Sequence, residues 1–167
     1  MESIQHVLVA IDVSYSMSGF IENAVRGLNE FVVRLRVMHP SCYLSVVWFN
    51  DDWGYVIKGM PVSTQVFTMS NFTCIGTTSL FDCVYDLVNE WGVYDNPTFM
   101  YVISDGDDNS SKRYKEVDVA DICSRAIKTK GWMITHCSTE TSKLIPHTKQ
   151  VGYDVDDIEN MMSGLGL

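Results

Sequence analysis

Hydrophobic positions along the chain follow two periodicities, which separate predicted strands from predicted helices. Short apolar runs rich in β-branched and aromatic residues predict buried strands at residues 6–11, 43–49, 98–103 and 131–137. Apolar residues three and four positions apart predict amphipathic helices at residues 79–91, at residues 117–128, and from residue 21 to a stop enforced by Pro40. Strands and helices therefore alternate along the chain.

A short polar turn interrupts this alternation. Residues 50–54 read Asn-Asp-Asp-Trp-Gly, and a further strand is predicted at residues 55–60. So short a connection forces an antiparallel hairpin. We expect Asp51 and Asp52 to be solvated turn residues.

The alternating elements predict a doubly wound α/β fold. Its central sheet is mostly parallel, with helices on both faces and one antiparallel strand at an edge. A short strand near residues 150–153 and a helix at residues 156–162 complete the prediction. We find no repeat or linker, and therefore expect a single domain over residues 1–167.

Composition limits the function classes. The chain has 167 residues, 46% of them hydrophobic, and 12 basic against 21 acidic side chains give a net charge of -9. This acidity argues against binding to nucleic acid through phosphates. The apolar run at residues 7–11 is too short to cross a bilayer, so no membrane insertion is expected. Five widely spaced cysteines and the absence of a secretory leader pattern predict reduced thiols in a cytoplasmic protein.

Three polar motifs follow predicted strands or precede a predicted helix. They are Asp12-x-Ser14-x-Ser16, the threonine Thr78 that follows Gly-Thr, and Asp105 between Ser and Gly. Each motif taken alone is ordinary turn or helix-cap chemistry. Because ligands of open α/β sheets bind at the carboxyl ends of the strands, we expect the three motifs to meet at that edge.

The residue types in these motifs predict the chemistry of the site. Two carboxylates and three hydroxyls are hard oxygen donors, which suit Mg²⁺, Mn²⁺ or Ca²⁺ rather than zinc or copper. Two acids leave little net charge on a divalent cation site, so the metal stays electrophilic and attracts a further carboxylate from outside. The pattern therefore predicts a metal-dependent docking site rather than a closed metal cage.

The motifs, in this order, resemble the metal-ion-dependent adhesion site of the von Willebrand factor type A domain. The resemblance spans roughly residues 6–160 and is greatest to small, stand-alone bacterial and phage proteins of this type. It implies a Rossmann-like fold in which Ser14, Ser16 and Thr78 bind the metal directly or nearly so. It also implies that Asp12 and Asp105 act partly through water.

Two positions depart from the family pattern. Tyr15 stands where the family usually has glycine, and Ser104 stands where threonine is common. A side chain at Tyr15 either crowds the metal or contacts a partner. The predicted partner-binding rim around the metal consists of Tyr15, Gly76, Thr77, Asp107 and Asp108.

The favoured function is a divalent-cation-dependent module that binds a protein partner through an Asp or Glu of that partner. One alternative is a scaffold whose metal site is vestigial or only stabilising. A second is a metal-dependent phosphohydrolase with Asp12 as nucleophile. The second is disfavoured because Ser14 occupies the position where such chemistry needs another acid. We therefore predict that the protein is not an enzyme.

Overall fold

Six strands form one sheet in the computed structural model, which describes residues 6–104, 108–137 and 149–151. The strands are, in chain order, β1 (His6–Asp12), β2 (Tyr43–Phe49), β3 (Trp53–Pro61), β4 (Thr98–Ile103), β5 (Met133–Cys137) and β6 (Lys149–Val151). The α-helices are α1 (Ile21–Met38), α2 (Leu80–Trp91) and α3 (Glu116–Lys130).

The strand order across the sheet is β3-β2-β1-β4-β5-β6. The β2–β3 pair is antiparallel, and the other neighbouring strands pair in parallel. The order reverses between β1 and β4, which places a topological switch point beside the central strand. This arrangement confirms the predicted doubly wound sheet with its antiparallel edge strand.

Strand β1 is buried along its whole length, and its side chains divide between two cores. Val7, Val9 and Ile11 pack in the cluster that includes the buried face of α1. Leu8 and Ala10 pack in the cluster that includes residues of α2 and α3. Because successive strand residues point to opposite faces, a continuous apolar run is what a sheet covered on both sides requires.

Most predicted boundaries shift by one or two residues. Strand β5 begins at Met133 rather than residue 131, because Gly131 ends α3 in the left-handed conformation (φ +66°). Strand β3 is longer than predicted and begins at Trp53, which tightens the hairpin. The predicted helix at residues 156–162 lies outside the described residues.

The first residue of β1 carries a buried histidine. The His6 ring stacks on Trp91 with centroids 3.9 Å apart, and its Nε2 lies 3.0 Å from Ser45 Oγ. Ser45 Oγ also accepts a hydrogen bond from the Gly59 amide, which leaves the hydroxyl proton for Nε2. This arrangement suits a neutral imidazole, and burial lowers the pKa of His6 from 6.5 to about 4.

Acid should therefore destabilise the protein partly through His6. The unfolded state binds a proton near pH 6.5 and the folded state near pH 4, so the His6 contribution is lost as the pH falls between these values. Between pH 6.5 and 4.5 the free energy of unfolding should fall by about 2 kcal/mol more in the wild type than in His6→Gln. Urea unfolding at both pH values measures this difference, and equal losses in the two proteins would exclude it.

Candidate metal centre

The carboxylate of Asp12 lies fully buried at the carboxyl end of β1. The Ser104 hydroxyl donates a hydrogen bond to Asp12 Oδ2 at 2.7 Å, and the Ser14 amide donates to Oδ1 at 2.7 Å. Ser104 directly follows β4, the parallel neighbour of β1, so this contact joins the ends of two adjacent strands. Both carboxylate oxygens of Asp12 thus have a defined orientation.

The two serine hydroxyls of the first motif converge beside Asp12. The chain passes from Ser14 into a single 3₁₀ helix, Tyr15–Gly19, which is anchored by the fully buried side chain of Met17. Ser14 Oγ and Ser16 Oγ lie 3.1 Å apart. Ser14 is buried and Ser16 is exposed, so the pair extends from the protein interior to its surface.

This spacing fits two ligands of one divalent cation. Neighbouring oxygens in an octahedral Mg²⁺ shell lie about 3 Å apart, because each is about 2.1 Å from the metal at right angles. Hydroxyl and carboxylate oxygens are also the donors that such hard cations prefer. Within residues 6–104, 108–137 and 149–151, no group of three or more His, Cys, Asp or Glu side chains is placed to hold a metal ion.

The loop that carries Thr78 is joined to the serine loop by backbone hydrogen bonds. The Tyr15 amide donates to the Gly76 carbonyl at 3.0 Å, and the Ile75 amide donates to the Val13 carbonyl at 2.9 Å. These two bonds hold the residues just before Thr78 against Val13 and Tyr15 of the first motif. The structure therefore brings together Asp12, Ser14 and Ser16, and it places the loop that leads to Thr78 against them, with Thr78 itself 4% exposed.

Asp51 supports the Thr78 loop from the β2–β3 hairpin. Its Oδ1 accepts hydrogen bonds from the Thr77 amide at 3.0 Å and from the Thr77 hydroxyl. The Thr77 hydroxyl bond is the main cause that lowers the pKa of Asp51. The expectation of a merely solvated turn residue was incomplete, because Asp51 is exposed yet also positions a loop of the candidate site.

Thr78 has a second support that the sequence motifs do not reveal. The Thr78 amide donates to Asn109 Oδ1 at 2.8 Å, and the Thr78 carbonyl accepts from the amides of Asn109 at 3.0 Å and Ser110 at 3.1 Å. Asn109 is 31 residues away along the chain. No spacing or hydropathy pattern marks it as a partner of Thr78.

The third motif is only partly within the described residues. Asp105 and Asp107 lie outside them, whereas the flanking residues Ser104 and Asp108 are described. Ser104 contacts Asp12 as given above. Asp108 Oδ2 accepts hydrogen bonds from the Phe81 amide at 3.1 Å and from the Ser111 hydroxyl, so its carboxylate caps the start of α2.

The predicted rim residues differ in accessibility. Tyr15 has 75% of its surface exposed, and Gly76 and Thr77 are also exposed. Asp108 is half-buried and occupied with the α2 N-terminus. Among the described rim residues, Tyr15 therefore offers a large apolar surface that a partner can contact.

The sheet order, the flanking helices and the loops at the carboxyl edge define the fold of a von Willebrand factor type A domain. This confirms the predicted resemblance at the level of the fold. No protein-family model matches the sequence, and no curated protein matches it.

Three solved structures illustrate the likeness. The ArnB paralog VWA2 from Sulfolobus acidocaldarius has a TM-score of 0.68 at 18% identity, over 96% of this chain and 44% of that chain. Proximal thread matrix protein 1 from the mussel byssus, with a zinc-occupied MIDAS (metal-ion-dependent adhesion site) motif, has a TM-score of 0.69 at 13% identity, over 98% and 45%. The pilus adhesin SpaC from Lactobacillus rhamnosus GG has a TM-score of 0.71 at 9% identity, over 98% and 29%. This chain thus spans less than half the length of each of these structures.

None of the helices in the described part of the chain is both long and apolar enough to traverse a bilayer.

Substitution of Gly76 tests the geometry of the Thr78 loop, with Gly131 and Gly19 as comparisons elsewhere in the chain. A Cβ at Gly76 would lie 2.4 Å from Asp51 Oδ2, and Gly76 has a φ of +76°. Gly131 has a φ of +66° with no atom within 4 Å of an added Cβ, and Gly19 has open space and no such φ. We expect Gly19→Ala to be near neutral and Gly131→Ala to cost about 1 kcal/mol of unfolding free energy. Gly76→Ala should cost about 2 kcal/mol or more, because displacing Asp51 also breaks its bonds to Thr77.

Urea unfolding of the three variants measures these costs. A Gly76→Ala variant no less stable than Gly131→Ala would show that the contact between Asp51 and the Thr78 loop contributes nothing.

Proposed function

We propose that this protein is a divalent-cation-dependent protein-binding module. Its metal is held at the carboxyl edge of the sheet by Asp12, Ser14, Ser16, Thr78 and Asp105. The observation that carries the proposal is the pair of serine hydroxyls 3.1 Å apart, immediately beside an oriented and buried carboxylate. Mg²⁺ is the proposed cation, with Mn²⁺ or Ca²⁺ as substitutes in the same donor set.

The charge of the donor set supports docking rather than storage of the cation. Three of the five proposed ligands are neutral hydroxyls, and the two carboxylates only balance the charge of the metal. A cation in such a site keeps its attraction for one more anionic oxygen. We therefore propose that the partner presents an Asp or Glu side chain to the metal.

Two of the structural neighbours support this direction. The mussel protein has zinc in its MIDAS motif, and SpaC is a pilus adhesin. We propose binding rather than turnover, because Ser14 stands where a phosphoryl-transfer site with Asp12 as nucleophile would need a second acid.

The proposed rim consists of Tyr15, Gly76, Thr77, Asp107 and Asp108. Tyr15 contributes most through its large exposed surface, and aromatic side chains contribute strongly to protein interfaces. The ring replaces the glycine that the family usually has next to the metal. We propose that it selects among partners that all supply a carboxylate.

Ser16→Ala tests the metal site without disturbing the core, because Ser16 is exposed. We expect Mg²⁺ and Mn²⁺ affinity to fall at least tenfold, since one of few direct ligands is lost, while the Tm in EDTA stays unchanged. Isothermal titration calorimetry gives the affinity. Ser18→Ala is the matched control, since Ser18 lies in the same 3₁₀ helix and donates its hydroxyl to the Tyr15 carbonyl. Equal metal affinity in Ser16→Ala and wild type would contradict the proposed ligand set.

Partner chemistry is tested with peptides selected on the immobilised protein in Mg²⁺. We expect each selected peptide to need one Asp or Glu, and binding to be lost in EDTA or when that residue becomes Asn or Gln. Tyr15→Gly should change the affinity for the peptide severalfold and leave the affinity for Mg²⁺ unchanged. Peptides that bind equally well in EDTA would contradict metal-dependent docking, and metal binding without any selected peptide would favour the stabilising scaffold.

A further inference from the structure

Residues 108–114, here called the 108–114 clamp, run along the start of α2 and the Thr78 loop that precedes it. The clamp follows the motif that contains Asp105, so it connects the second and third motifs of the proposed site. Two ion pairs of Arg113, with Asp82 and Asp86, and a ring stack of Tyr114 on Tyr85 join it to α2. Its hydrogen bonds to residues 78–82 fall into three groups.

The first group holds Thr78 itself. Asn109 Oδ1 accepts a hydrogen bond from the Thr78 backbone amide at 2.8 Å. The Asn109 backbone amide donates a hydrogen bond to the Thr78 carbonyl at 3.0 Å. The backbone amide of the next residue, Ser110, donates a second hydrogen bond to the same carbonyl. Ser110 Oγ also lies 2.8 Å from Ser79 Oγ. Both backbone polar groups of Thr78 are therefore bound by the clamp.

The second group caps helix α2. Asp108 Oδ2 accepts a hydrogen bond from the Phe81 amide at 3.1 Å, and Ser111 Oγ accepts one from the Asp82 amide at 3.0 Å. These are amides of the first turn, which have no partner within the helix. The start of α2 is thus fixed by the same segment that binds Thr78.

The third group anchors the far end of the clamp on Asp82. Asp82 is only 8% exposed. Its carboxylate accepts hydrogen bonds from the backbone amides of Lys112 at 3.0 Å, Arg113 at 3.1 Å and Tyr114 at 3.0 Å. Arg113 also forms a salt bridge with Asp86. Three backbone donors on one largely buried carboxylate make this a rigid attachment.

We infer that Asn109 is a positioning residue that sets metal affinity through Thr78. The inference rests on the proposed function, in which Thr78 is a metal ligand. Asn109 holds the backbone of Thr78 through contacts between protein groups alone, so the loop that carries the hydroxyl does not depend on the metal for its position. Groups that orient a metal ligand typically change metal affinity by 10- to 100-fold when they are removed.

The prediction concerns Mn²⁺ affinity in three variants. Asn109→Ala removes the acceptor of the Thr78 amide, and because Asn109 is exposed its loss should not disturb the core. We expect Mn²⁺ to bind about tenfold more weakly. Asn109→Asp keeps an acceptor oxygen and should bind Mn²⁺ at least as tightly as the wild type. Asn29→Ala is the matched control, because the Asn29 side chain holds a different loop with two hydrogen bonds to the backbone of Phe67.

Mn²⁺ titration followed by electron paramagnetic resonance measures free and bound metal, and the Tm in EDTA reports folding. Weak binding in Asn109→Ala with retention in Asn109→Asp and Asn29→Ala supports the inference. If Asn109→Ala lacks a cooperative unfolding transition, Asn109→Ser replaces it, since serine is too short to reach the amide and should show the same loss.

The failure of this inference is distinguishable from the failure of the proposed function. A wild type that binds Mn²⁺ and an Asn109→Ala variant that binds it equally well would overturn the positioning role and leave the metal site standing. Loss in Asn109→Asp as large as in Asn109→Ala would also overturn it. A wild type that binds no Mn²⁺ would overturn both.

Discussion

The carboxyl edge of this sheet is organised around the hydrogen bonds to the buried carboxylate of Asp12. A fully buried acid is costly unless its oxygens are hydrogen-bonded, and here the Ser104 hydroxyl and the Ser14 amide supply those bonds. The Ser104 bond depends on the parallel pairing of β1 with β4, which brings Ser104 to Asp12, whereas the Ser14 bond is local to the loop that follows β1. The cores on the two faces of β1 hold that pairing in place.

Around Asp12, the serine loop and the Thr78 loop of the proposed metal site are held by polar groups from other parts of the chain. Asp51 holds Thr77, Asn109 holds Thr78, and a backbone bond joins Gly76 to Tyr15. These contacts are made between protein groups alone. The serine loop and the Thr78 loop are therefore held in place, and in the proposed site this lets a set of mainly neutral hydroxyls hold a cation that still attracts an external carboxylate.

The sheet and its edge were predictable from the sequence because their determinants are local. The apolar run of β1 and the 3.6-residue period of α1 and α2 each reflect burial of neighbouring positions. The positions of Asp12, Ser14 and Thr78 follow from where those elements end. Small differences, such as the later start of β5, come from single residues like Gly131 that adopt the left-handed conformation.

The supporting residues were not predictable, because their contacts join distant positions without any periodic pattern. Asp51 and Thr77 are 26 residues apart, and Asn109 and Thr78 are 31 apart. Asp and Asn are common in turns, so their identity alone does not distinguish a solvated side chain from one that holds a loop. Only the three-dimensional pairing of the loops reveals the difference.

The most direct test of the metal site is a crystal structure grown with Mn²⁺, with an anomalous difference map recorded at the manganese absorption edge. The predicted result is one strong peak about 2.2 Å from both Ser14 Oγ and Ser16 Oγ, beside the carboxylate of Asp12. A map with no peak at this edge of the sheet, or with its strongest peak elsewhere on the molecule, would contradict the site.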